Sequence, residues 1–171
     1  MPVLDSQSME FISRSTEQTR RVGMRLGALL QNGDVICLVG DLGAGKTTLM
    51  QGISAGWGSL DTVTSPTFVL VNVYRRPAKG IEPDGGRLFH MDAYRLNGAS
   101  EAEDLDLDTM LDNGPLVIEW ADRIQAVLPP ERLWVTLNWV DDDQRDVLFS
   151  AYGVRYYGML IELRKQVFGV A

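Results

Sequence analysis

Cysteine occurs once in the 171 residues, at Cys37, so no internal disulfide can form. The residue sits inside an apolar run, where a small buried hydrophobe describes it better than a nucleophile does. Basic residues are short as well: 16 Lys and Arg stand against 23 Asp and Glu, for a net charge of −7. A nucleic-acid surface acting alone needs a basic face, so that class is disfavoured and a basic partner protein is the easier encounter. No basic-then-apolar leader opens the chain and no apolar run reaches about 18 residues, so neither export nor a membrane span is indicated and a cytoplasmic location is expected. No segment repeats and no linker divides the sequence. One domain spanning 1–171 is expected, with 1–14 an N-terminal extension of little signal.

What is present centres on one stretch. Val35-Ile36-Cys37-Leu38-Val39 runs into Gly40-Asp41-Leu42-Gly43-Ala44-Gly45-Lys46-Thr47-Thr48, which fits G-x-x-x-x-G-K-[ST] at Gly40, Gly45, Lys46 and Thr47. The glycines allow backbone conformations closed to other residues, so successive N–H groups can turn inward on a phosphate. The loop then feeds a helix N-terminus, whose unpaired N–H groups and positive dipole end favour an anion. Lys46 would reach the terminal phosphates as a point charge and the Thr47 hydroxyl would be a ligand of Mg²⁺, with Asp41, Leu42, Gly43, Ala44, Gly45 and Thr48 completing the nucleotide-binding segment.

Around this loop the elements read in order. Ser15-Thr16-Glu17-Gln18 resembles an N-cap with its third-position glutamine, predicting a helix from Thr16 to Leu30 stopped by Asn32-Gly33. Thr47 to Gly56 is the loop-following helix. Val63 to Tyr74 reads as a hydroxyl-rich loop around Pro66 and then a strand, followed by a long polar turn from Arg75 to Gly86. Arg87 to Asp92 and Leu116 to Glu119 are strands, and Ala99 to Leu111 between them is acidic, a short helix plus turn with a solvated face. Trp120 to Leu128 reads as helix, Arg132 to Val140 and Arg145 to Tyr152 as strands, and Val154 to Phe168 as an amphipathic helix with Tyr157, Leu160, Ile161 and Leu163 inward. The fold this predicts is a three-layer α/β P-loop domain with a mainly parallel sheet, finished by antiparallel strands and a C-terminal helix.

In such a sheet the ligand lies outside the carboxyl ends of the parallel strands, so acidic residues there are candidates for metal and water. Asp92 and Glu119 both qualify. Glu119 is assigned to Mg²⁺, directly or through water, while Asp92 would orient water or complete the metal shell. His90 lies two residues before Asp92 and alternation puts both on one face of the strand, where a satisfied histidine is the better description than a base. Ser65 or Thr67 could contact the γ-phosphate or Mg²⁺ and make Thr62 to Phe68 a switch; a proline turn entering a strand is the alternative.

Four segments together resemble a known family. The loop block, Thr64-Ser65-Pro66-Thr67-Phe68, His90-Met91-Asp92-Ala93-Tyr94-Arg95-Leu96 and Ile118-Glu119-Trp120-Ala121-Asp122-Arg123 look like the signature blocks of the TsaE (YjeE) family, from about Ser15 to Val167. The resemblance implies a P-loop ATPase of bacterial tRNA threonylcarbamoyladenosine biosynthesis, acting on a TsaB–TsaD complex and meeting tRNA only indirectly, through that complex. It implies that Lys46 and Thr47 bind phosphate and Mg²⁺, that Glu119 is the second Mg²⁺ carboxylate, that Asp92 is needed for hydrolysis, and that Trp120 lies beside the nucleotide or partner surface. Thr16 and Arg145 fall where the family approaches the nucleotide.

Two other classes share a phosphate loop. A small-molecule kinase would commonly start at the loop and carry a later arginine-bearing lid, whereas here a helix comes first and Arg123 and Arg132 stand apart. A nucleotide-dependent adaptor would bind ATP as an assembly signal with negligible turnover.

Overall fold

Four short apolar runs form the centre of the sheet in the computed structural model, which describes residues 7–64, 71–78, 85–96 and 105–169. The described strands are β1 (Ser8–Ser13), β2 (Val35–Val39), β3 (Val71–Arg75), β4 (Arg87–Asp92), β5 (Leu116–Glu119), β6 (Arg132–Trp139) and β7 (Arg145–Tyr152), in the spatial order β1-β7-β6-β2-β5-β4-β3. β2 lies parallel to both β5 and β6, and β4 lies parallel to β5. The carboxyl ends of all four therefore meet at one edge. Antiparallel partners close both sides, β7 and β1 beyond β6 and β3 beyond β4. The antiparallel share is thus not confined to the C-terminal strands.

Both faces of the parallel centre are covered, which is why β2 is apolar at every position rather than alternating. On one face Ile36 and Leu38 pack with α1 (Thr16–Gly27), α2 (Lys46–Trp57) and α4 (Val154–Phe168). On the other, Val35 and Cys37 pack with Ala121, Ile124 and Leu128 of the 3-10 helix Ala121–Val127 and its flank, alongside α3 (Leu107–Asn113). Two cores on one sheet make three layers. No helix among the described residues is long and apolar enough to cross a membrane.

α1 begins where the cap predicts: the Gln18 N–H donates to the Ser15 hydroxyl at 3.1 Å and the Gln18 side chain accepts from the Arg14 N–H at 2.7 Å. It then lies directly on the loop-following helix. A Cβ on Gly27 would stand 2.0 Å from the Ile53 carbonyl oxygen, and one on Gly52 would stand 2.1 Å from that of Arg20. Only glycine lets these two backbones touch.

The structure corrects several boundaries. α1 stops at Gly27 rather than Leu30, because Leu29 and Leu30 turn away through i→i−3 bonds to the carbonyls of Leu26 and Gly27. Ser8–Ser13, within the expected N-terminal extension of little signal, is a strand whose Met9 is buried in the core. The helix expected over Trp120 to Leu128 is a 3-10 helix over Ala121–Val127 with a break at Ile124, Trp120 and Leu128 being its caps. α4 turns Tyr156, Met159, Leu160 and Leu163 inward, whereas Ile161 is 40% exposed and Tyr157 is only half-buried. That rotation is fixed by the Val35 N–H, which donates to the Tyr156 hydroxyl at 2.8 Å. The acidic stretch yields α3 over Leu107–Asn113, and its part within 97–104 lies outside the described residues.

Candidate functional site

The glycine loop leaves β2 at the carboxyl edge and runs into the first turn of α2. Gly40 packs so closely that a Cβ there would be 2.4 Å from the Leu137 carbonyl oxygen, and Gly45 takes φ +104°, a left-handed conformation that favours glycine. Lys46 is buried and donates to the carbonyl oxygens of Gly40 and, at 2.9 Å, Asp41. Its Nζ also lies 4.1 Å from the centroid of the Trp120 ring. Burial lowers the Lys46 pKa, and the charges of Glu119, Asp41, Asp92 and Asp122 oppose the shift.

Beside the loop is a cavity of about 320 Å³. Leu42, Gly43, Gly45, Lys46, Thr47 and Thr48 form its loop side; Asp92, Glu119, Trp120 and Arg145 form the rest. Asp41 and Ala44 do not line it. Asp41 instead supplies its carbonyl to Lys46 and to the Ala44 N–H at 3.1 Å, so both hold the loop's shape.

Asp92 and Glu119 are register partners on the adjacent parallel strands β4 and β5. Their surroundings differ. Glu119 is 4% exposed and its Oε2 is 2.5 Å from His90 Nε2, while no hydrogen bond among the described residues engages Oε1. Asp92 is half-buried and its Oδ1 accepts the Tyr94 N–H at 2.9 Å. Burial raises the Asp92 pKa; the Tyr94 N–H opposes this, the Glu119 charge adds to it, and His90 and Lys46 draw it back. His90 is fully buried between Glu119 and the Tyr74 hydroxyl and does not line the cavity.

The donor set fits Mg²⁺. Thr47, Asp92 and Glu119 all line one cavity and carry hard oxygens, and Mg²⁺ prefers few protein oxygens with waters and phosphates to an all-protein cage. Among the described residues no group of three or more His, Cys, Asp or Glu forms such a cage.

The remaining candidates separate by position. Thr16 lines a side pocket of about 40 Å³ that shares Gly45, Thr48 and Arg145 with the main cavity, so it stands next to the cavity rather than on it. Arg145 lies at the rim, its Nη1 donating to the carbonyls of Asp141 at 2.6 Å and Gln144 at 3.1 Å. Trp120 has φ +58°, the one non-glycine residue among those described with a left-handed backbone. Such backbone is costly and concentrates at functional sites. Ser65 and Thr67 lie outside the described residues, so the switch reading has no geometry here.

Tyr94 was not among the sequence candidates. Its ring sits 4.9 Å from that of Trp120, with the Arg123 guanidinium 4.9 Å above it. Its place in the His90 to Leu96 block, two residues after Asp92, was the available signal.

A glycine loop passing from a central parallel strand into a helix, with two strand-end carboxylates facing it, defines a phosphate-loop α/β protein. The sequence model of the family described as threonylcarbamoyl adenosine biosynthesis protein TsaE matches residues 13–147, and the chain belongs to that family. It is 39% identical over 150 residues to the tRNA threonylcarbamoyladenosine biosynthesis protein TsaE of Bacillus subtilis, across 87% of this chain and 89% of that one. The Streptomyces coelicolor protein of the same name is 44% identical over 142 residues, across 80% and 93%. A crystal structure of Bacillus subtilis YdiB matches with a TM-score of 0.74 at 32% identity, covering 94% of this chain and 96% of that one.

Proposed function

We propose that this chain binds Mg²⁺-ATP in the loop cavity and hydrolyses it to sustain tRNA threonylcarbamoyladenosine formation by a TsaD–TsaB complex in the cytoplasm. The observation that carries the reading is the convergence of Lys46, Thr47, Asp92 and Glu119 on one cavity. The names of the relatives supply the biosynthetic context.

The chain's own groups divide the work. Loop N–H groups and the first turn of α2 hold the phosphates, and Lys46 exchanges its carbonyl partners for phosphate oxygens. Thr47 and Glu119 Oε1 would hold Mg²⁺, with Asp92 beside them completing the shell or orienting the attacking water. When bound, the ion would screen the phosphate charge that develops in transfer. Trp120, with the Tyr94 ring against it, and Arg145 complete the cavity wall.

Turnover measured alone and with purified TsaD–TsaB tests this reading. We expect weak hydrolysis alone, stimulation by the complex, and retained binding without turnover in Asp92→Asn. Hydrolysis absent in both cases would leave an adaptor, and transfer to an added small-molecule acceptor would make the chain a kinase.

A further inference from the structure

Glu119 is not held by the loop or by α2 but by a line of buried side chains crossing three strands. Tyr74 on β3, His90 on β4 and Glu119 on β5 are 3%, 0% and 4% exposed. His90 Nε2 is 2.5 Å from Glu119 Oε2, and His90 Nδ1 is 2.8 Å from the Tyr74 hydroxyl. That hydroxyl is in turn 3.2 Å from the carbonyl oxygen of Thr64, which also accepts from the Asn72 side chain at 2.9 Å. The line therefore starts at the cavity and ends at an exposed loop residue, Thr64, immediately before Ser65.

The donors and acceptors fix how it works. An ionised carboxylate only accepts, so the contact with Oε2 requires His90 to carry its proton on Nε2. The Tyr74 hydroxyl lies within hydrogen-bond distance of both Nδ1 and the Thr64 carbonyl, and toward that carbonyl it can only donate. Burial raises the Tyr74 pKa, which keeps the hydroxyl protonated. Tyr74 is thus shared between Nδ1 and the Thr64 carbonyl. A shift of Thr64 therefore changes how firmly Tyr74 holds His90, and through it the orientation of Glu119.

We propose that Tyr74 and His90 are positioning residues: together they lock Glu119 Oε2, turn Oε1 toward Mg²⁺, and make that setting depend on where the Thr64 carbonyl lies. This rests on the Mg²⁺-ATP reading of the cavity. It adds that the metal carboxylate and the Thr64 backbone are set together by hydrogen bonds that neither makes to nucleotide. Partners that orient a metal ligand commonly contribute a large share of metal affinity, and a buried network shares its energy among its members.

His90 is the only histidine in the chain, so its ring nitrogens can be read without ambiguity by ¹⁵N NMR of the full-length protein without nucleotide. The expected spectrum shows a proton on Nε2, and Tyr74→Phe, which removes one hydroxyl, should shift the Nδ1 signal. In nucleotide titrations Tyr74→Phe should raise the Mg²⁺ concentration for half-maximal tightening by about 10–100-fold while leaving ADP binding in EDTA unchanged. His90→Gln, which keeps an N–H donor near Oε2, should need less Mg²⁺ than His90→Phe. An Nε2 without a proton in the wild type, or an unchanged Mg²⁺ requirement in Tyr74→Phe, overturns the proposal. If wild-type protein shows no Mg²⁺-dependent nucleotide binding, the functional reading falls and the metal half of the proposal with it. The protonation of Nε2, read on unliganded protein, still decides the Tyr74–His90–Glu119 line separately.

Discussion

Lys46 holds its ammonium 4.1 Å from the centre of the Trp120 ring while donating to the backbone of the loop it belongs to. The contact is a cation–π interaction in a partly desolvated place, with an expected strength of about 1–2 kcal/mol. A phosphate taking Lys46 must draw it away from the ring. Binding of Mg²⁺-ADP should therefore change tryptophan fluorescence in the wild type and leave it unchanged in Trp120→Phe, although the chain keeps three other tryptophans in that variant. Lys46→Ala should lose the signal along with binding, and its turnover should fall by about 10²–10³.

Asp92 carries a stability cost at neutral pH. Its folded-state pKa is raised above the unfolded value of 3.8, mainly by burial. A raised carboxyl favours folding while protonated and loses that contribution as pH rises through the folded pKa. Asp92→Asn, neutral throughout and still able to accept the Tyr94 N–H, should melt above the wild type at pH 7. The difference should vanish below pH 3.8, in thermal scans of both proteins.

Contact between α1 and α2 tolerates no methyl group. Gly27→Ala and Gly52→Ala each drive a Cβ into a backbone carbonyl of the opposite helix, a clash that only helix separation relieves. Overpacking of this kind costs about 1–3 kcal/mol or more, and each kcal/mol lowers the melting midpoint by roughly 2–4 °C at this chain length. Gly158→Ala serves as the control, because a Cβ there meets nothing within 4 Å.

Cys37 should be silent in the native state. Burial pushes its thiol up to about 12, opposed by the Arg132 charge, so little thiolate exists at pH 8. Alkylation at that pH should proceed only through unfolding, and its rate should rise with denaturant in step with loss of structure.

The sequence disclosed what is local. The loop follows from Gly40, Gly45, Lys46 and Thr47 in eight consecutive positions, the α1 cap from Ser15 and Gln18, and the strand-end carboxylates from the apolar runs before them. Contacts that depend on register were not available in the same way. His90 and Glu119 are 29 positions apart and meet only because β4 and β5 align Asp92 with Glu119. Ser8–Ser13 is too short for its Met9–Phe11 alternation to stand out, and becomes a strand because β7 offers an edge. Gly23, Gly27, Gly52 and Gly56 show a four-residue spacing within each helix, yet only the docking of α1 on α2 explains it.

The central claim is that phosphate chemistry at Lys46 sustains the tRNA modification. The most direct measurement is threonylcarbamoyladenosine in total tRNA, quantified by mass spectrometry from cells lacking this gene and complemented with wild type or Lys46→Ala at equal protein level. Loss on deletion, recovery with wild type and no recovery with Lys46→Ala is the predicted result. Full recovery with Lys46→Ala would contradict it.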